Sequence, residues 1–232
     1  MKVAIHQPHY FPWEGYLNKI ARVDKFILMD EVQLTDSSPM YRHSLLALNG
    51  EPKYITIPFE KKEYKHKYYK DILLNSSIKW QHNHLNFFKE NFGKSPYYKE
   101  VMDAIMPIFE KEYKYICDVT IDTIRLLVKL FDINTELVMM SDLDYPKDSK
   151  KNQLVLDLCI AAGANYYLSG KGAKKYMELA PFNDKGIEVE FQEFSQKPYE
   201  QHSSELFVPG LTILDMLFSV GIDKTKQRFQ LL

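Results

Sequence analysis

Two histidines, His6 and His9, stand three positions apart in the run HQPHYFPW that covers residues 6–13. Histidine exchanges protons or ligates metals near neutral pH without assistance. Gln7, Tyr10 and Trp13 beside them offer an oriented amide and two ring faces, which suit a sugar or a base. Asp30 is the third candidate for catalysis, as the carboxylate that orients a histidine while it accepts a proton. A proline-containing loop fixes no metal-ligand spacing, so proton transfer is the expected chemistry and no metal site is assigned.

Anion binding has its own candidates. In SGKGAKK, Ser169, Gly170, Lys171 and Gly172 stand where a strand gives way to a helix, so that free N–H groups and a nearby lysine favour a phosphate. Arg42 follows a turn-rich stretch and can hold a carboxylate or phosphate bidentately. Gln33, Tyr199 and Gln201 add amides and a phenol for sugar hydroxyls. NFGKS at 91–95 lacks a phosphate loop's first glycine, because Phe88 stands in its place. His82 and His84 are two apart on an expected helix and point to different faces.

The elements that must position these groups follow from periodicity. Lys2 to Gln7 reads as a strand, Gly15 to Val23 as a helix with Leu17, Ile20 and Ala21 inward, and Lys25 to Asp30 as a second strand. That is a βαβ unit, whose strands run parallel and whose ligands collect at the carboxyl ends. Gln7 and Asp30 both end strands and are expected at one crevice.

Leu45 to Leu48 and Tyr54 to Phe59 read as a hairpin attached to the sheet through a turn at Asn49 and Gly50. Residues 80–131 carry helical spacing, with Pro107 as the expected break between helices. Alternation then returns: strand at Thr135 to Met140, helix at Gln153 to Ala162, strand at Tyr166 to Ser169, helix at Lys171 to Met177, strand at Ile187 to Phe194. Leu211 to Val220 closes as an amphipathic helix, expected in the core, with a homodimer contact as the alternative. The fold class expected is α/β, a mixed, partly parallel sheet with flanking helices. One domain spans 1–232, with a helical subdomain or insertion at about 80–131.

The 30 basic and 31 acidic side chains leave a net charge of −1, so no general field attracts nucleic acid or anionic lipid. No apolar run reaches the ~20 residues that span a bilayer, and the first 30 residues lack a signal-peptide pattern. Cys117 and Cys159 sit in helix-like apolar patterns and read as small buried hydrophobes of a cytoplasmic protein.

With HQPHYFPWEGYLNKI, DEVQ at Asp30 to Gln33, YITIP, YYLSGKGAKKYM, PYEQ and LTILDMLFSVG in this order along nearly the whole chain, the sequence resembles the WbqC-like family of bacterial proteins. The resemblance implies a setting in surface-polysaccharide and modified-sugar biosynthesis, including O-antigen gene clusters. It also implies that the HQPHYFPWEG loop is a site, since that loop recurs in the family.

The expected function is transfer of an acyl or aminoacyl group, from a donor that includes carrier-protein-bound forms, to the amine of a nucleotide-linked amino sugar. Its alternatives are a non-catalytic protein that presents such an intermediate, and an ATP-dependent amide-forming ligase. The last follows from a likeness of the opening unit to nucleotidyltransferase-like folds, although Glu14, Gly15 and Tyr16 replace the histidine pair those enzymes carry. The cofactor is unknown from sequence; ATP and coenzyme A both stay open.

Overall fold

The computed structural model describes residues 1–34 and 40–230. The turn expected at 36–39 lies outside the described residues. The chain opens as anticipated with β1 (Lys2–His6), α1 (Glu14–Ala21) and β2 (Lys25–Leu28). A hairpin follows, β3 (Arg42–Leu46) and β4 (Pro52–Thr56), then three helices, α2 (Trp80–Phe92), α3 (Tyr98–Glu110) and α4 (Ile116–Leu130). The remainder is β5 (Glu136–Met139), α5 (Lys151–Ala161), β6 (Tyr166–Ser169), α6 (Ala180–Asp184), β7 (Glu188–Phe191), α7 (Ile213–Val220) and α8 (Ile222–Gln227).

Five strands form one sheet in the order β5-β2-β1-β6-β7, and every neighbouring pair is parallel. A parallel sheet needs both faces covered. Ala4, Phe26 and Leu28 join a large core with α1, the three middle helices and α7, while Val3, Ile5 and Ile27 pack with α5 and α6 on the other face. Alternate residues of β1 and β2 therefore serve opposite cores, which explains why both strands read as continuous apolar runs.

The fold is α/β, as expected, with two differences of detail. The hairpin stands as its own two-stranded antiparallel sheet and does not extend the parallel one. Its outer edge is already engaged: Thr212 N donates to Ser44 O, and Leu46 N donates to the Asp215 carboxylate at 3.0 Å. Pro107 lies inside α3, and the break comes after Glu110. Proline removes one intrahelical bond, but Ile105, Ile108 and Phe109 continue the buried stripe across it and hold the helix together. Among the described residues no helix is long and apolar enough to cross a membrane. Both cysteines are buried and free, and α7 places Leu214, Leu217 and Phe218 in the core.

Candidate functional site

The chain leaves β1 toward β2 through α1, then returns from α5 to lay β6 along the opposite edge of β1. Between β1 and β6 the strand order reverses, and the loops beyond their carboxyl ends part to leave a crevice. A cavity of about 460 Å³ occupies that place, lined among others by His6, Lys19, Met29, Ser169, Gly170 and Gly172.

The HQPHYFPW run shapes one wall by dividing its residues. Tyr10 and Phe11 are fully buried in the helical core, where the Tyr10 hydroxyl bonds His84 Nδ1 at 3.0 Å and the Phe11 ring stacks on Phe109 at 6.3 Å. Phe11 has φ +38°, strained for a bulky residue, and its N–H donates to Thr123 Oγ1. Anchored so, the run holds His6, Gln7 and His9 at the sheet end. Trp13 lays its indole over α1, close enough that a Cβ on Gly15 would stand 2.4 Å from the ring; glycine is required there.

His6 Nδ1 lies 3.1 Å from Gln7 O; a carbonyl only accepts, so Nδ1 carries the proton and Nε2 keeps a lone pair. Burial, then the charge of Lys19, lowers the His6 pKa to about 3. His9 is 7% exposed, stacks on Tyr16 at 4.9 Å and meets His6 edge-on at 4.8 Å. Its Nδ1 is buried without a hydrogen-bond partner, and burial with the neighbouring His6, His43 and Lys19 holds the ring neutral. His43, from β3, accepts the Ser44 N–H at Nδ1, and burial lowers its pKa to about 4.

Lys19 is the least expected member. It is 3% exposed, its Nζ donates to Ile5 O at 3.0 Å, and among the described residues no carboxylate pairs with it. Burial lowers its pKa to about 7. A buried ammonium held only by a carbonyl is expensive. An anion entering the crevice would supply the missing charge and raise the pKa of Lys19 and His6 together.

The predicted residues distribute unevenly. His6, His9, Gln7, Ser169, Gly170 and Gly172 gather at the ends of β1 and β6, while Lys171 stands exposed in a short 3₁₀ turn, Lys171–Lys175. Asp30 does not bond either histidine; its Oδ1 accepts from Ser141 N at 3.0 Å and it lines another cavity, considered below. Gln33 is exposed and bridges to the Tyr68 backbone, and Arg42 lies against the Tyr41 and Tyr54 rings in a third cavity. Tyr199 and Gln201 belong to an internal network, in which the Tyr199 hydroxyl donates to Asp215 at 2.8 Å and Gln201 spans to Val208. Tyr10 is core.

Sequence reasoning missed Lys19, Tyr16 and His43. One signal for Lys19 was available. Its helical neighbours three and four positions away are Gly15, Tyr16, Arg22 and Val23, with no acid to pair it on the helix surface.

Order, coverage and crevice together define a doubly wound α/β protein with a ligand site at the switch between β1 and β6. Residues 7–227 match the model of the WbqC-like protein family, and the chain belongs to that family. It is also 29% identical over 224 residues to the uncharacterized protein Rv1507c of Mycobacterium tuberculosis, spanning 96% of this chain and 95% of that protein. No solved structure matches.

Proposed function

We propose that the protein transfers an acyl or aminoacyl group to the amine of a nucleotide-linked amino sugar in the cytoplasm, within the polysaccharide setting that the family resemblance implies. The supporting observation is the buried, carboxylate-free Lys19 beside the His6 lone pair in the switch-point cavity. Lys19 pairs with a phosphate oxygen of the nucleotide and thereby raises the basicity of His6. The amine nitrogen attacks the acyl carbon, the new N–C bond forms as the bond to the leaving group breaks, and His6 Nε2 takes the amine proton and returns it to the leaving group. His9 keeps His6 oriented and water out.

Incubation with nucleotide-linked amino sugars and thioester or aminoacyl donors, followed by mass spectrometry, tests the reading. A product heavier by the acyl group, reduced roughly 10²- to 10⁴-fold in His6→Gln, is expected. No product across a broad panel overturns it. The doubly wound strand order favours a second reading, in which the crevice holds ATP and the acid is activated as an acyl-adenylate with loss of pyrophosphate. Pyrophosphate release dependent on acid and amine distinguishes the two.

A further inference from the structure

The crevice does not use Asp30, which has a cavity of its own. About 500 Å³ in volume, that cavity shares no lining residue with the crevice; Met29 faces one and Asp30 the other. Asp30 is 3% exposed at the carboxyl end of β2, with one oxygen taken by Ser141 N–H. Among the described residues no cation stands within ion-pair distance of it.

The other charges around this cavity are largely spent on each other. Lys70 Nζ is held by Glu31 at 2.8 Å, and Lys111 and Arg125 lie 2.5 and 3.6 Å from Asp122. Lys114 at the rim stands apart, with its ammonium over the Tyr115 ring at 5.1 Å and no carboxylate partner among the described residues. Cys117, Ile121 and Met139 supply apolar wall between the buried anion and the exposed cation. A buried carboxylate without a counter-charge costs free energy that a bound ammonium would recover.

We propose that this cavity binds a free α-amino acid, with its ammonium on Asp30, its carboxylate toward Lys114 and its side chain against Ile121 and Met139. The inference goes beyond the transfer reading: binding here requires neither the crevice nor turnover. If both hold, the two cavities divide the work, one taking the nucleotide-borne anion and the other the amine of a second substrate.

The test is calorimetric titration of the full chain with the proteinogenic amino acids, their carboxamides and their N-acetyl forms. At least one amino acid should bind, its N-acetyl form should not, and its carboxamide should bind several-fold more weakly. Asp30→Asn keeps the acceptor for Ser141 N–H and should weaken binding at least about tenfold, the effect of losing one buried charge partner. Lys114→Met, on the exposed rim, should weaken the amino acid while leaving the carboxamide unchanged, and it keeps the proposal testable if Asp30→Asn fails to fold. No binding by any free amino acid, unchanged affinity in both variants, or binding of a divalent cation alone overturns it. Because turnover is never read, failure here leaves the crevice reading standing, and absence of transfer leaves this one standing.

Discussion

Two buried polar sites in this protein solve the problem of hidden charge in opposite ways. Asp215, at the start of α7, is fully buried, and burial pushes its carboxyl pKa up. Donors surround it, however: Leu46 N–H at 3.0 Å, the Tyr199 hydroxyl at 2.8 Å and the Gln201 amide at 3.4 Å. Lys19, equally hidden, has one carbonyl, and the nearby His9 has a ring nitrogen with nothing. A satisfied buried network stabilises and specifies a fold, whereas an unsatisfied one is kept for something that arrives later. The first ties the hairpin to α7; the second lies at the switch point.

Removing the Asp215 carboxylate should therefore produce the largest loss of stability. Asp215→Ala strands the Leu46 N–H and the Tyr199 hydroxyl without water, at ~1–3 kcal/mol each, so about 3–5 kcal/mol in all is expected. For a chain of this size that is roughly a 10 °C fall in melting temperature, read by calorimetry. A fall of a degree or two would show the network to be replaceable and would weaken the contrast.

Lys19→Met should move stability the other way. The variant removes an ammonium whose burial is uncompensated and leaves a side chain of similar length in an apolar setting, so the melting temperature should rise by several degrees while binding of any phosphate-bearing ligand is lost. The same variant alters the alkaline limb of stability. Lys19 has its usual value of 10.5 when unfolded and about 7 when folded, so the unfolded state binds more protons between these values and stability rises with pH across that window. Lys19→Met should flatten that rise; a variant that is destabilised, with the limb intact, would remove Lys19 from the argument.

Acid should expose the histidines. His6, His43 and His84 have pKa values of about 3, 4 and 4, and His9 lies well below 6.5, each lowered first by burial. Depressed histidines contribute full stability above pH 6.5, and that stability is lost as pH falls toward their folded values, by about 1–2 kcal/mol per histidine between pH 6.5 and 5. Chemical denaturation at stepped pH should show this loss. A ligand paired with Lys19 should move its onset for His6 to higher pH.

How much of this was legible in the sequence depends on what each residue answers to. Strand and helix periods answer to the core, and β6 came out at Tyr166–Ser169 as its apolar and turn residues dictate. The hairpin's detachment depended on Asp215 and Thr212, some 170 residues away, which no local pattern reports. His6, His9 and the Ser169–Gly172 turn met because βαβ topology brings carboxyl ends together. Tyr199 and Gln201 looked like ligand groups because their chemistry is the same whether the partner is a sugar or Asp215; only the completed network separates the cases. Lys19 was overlooked because lysine is ordinarily solvated, and its burial follows from a short helix, seven of whose eight residues are buried.

The smallest predicted effect on stability is also the sharpest test of the crevice. Gly170 and Gly172 sit in its wall, and a Cβ built on either meets nothing within 4 Å. Gly170 has φ −71° and ψ 147°, a conformation open to any residue. Nothing in the fold itself demands glycine at 170, and Gly170→Ala should leave stability unchanged or raise it by ~0.4–1 kcal/mol through the unfolded state. The methyl group would then project where a ligand's phosphate approaches the backbone. Full stability with ligand affinity reduced several-fold would show that glycine is kept for the ligand, as Lys19 is; unchanged affinity would show that the anion stays on the Lys19 side of the crevice.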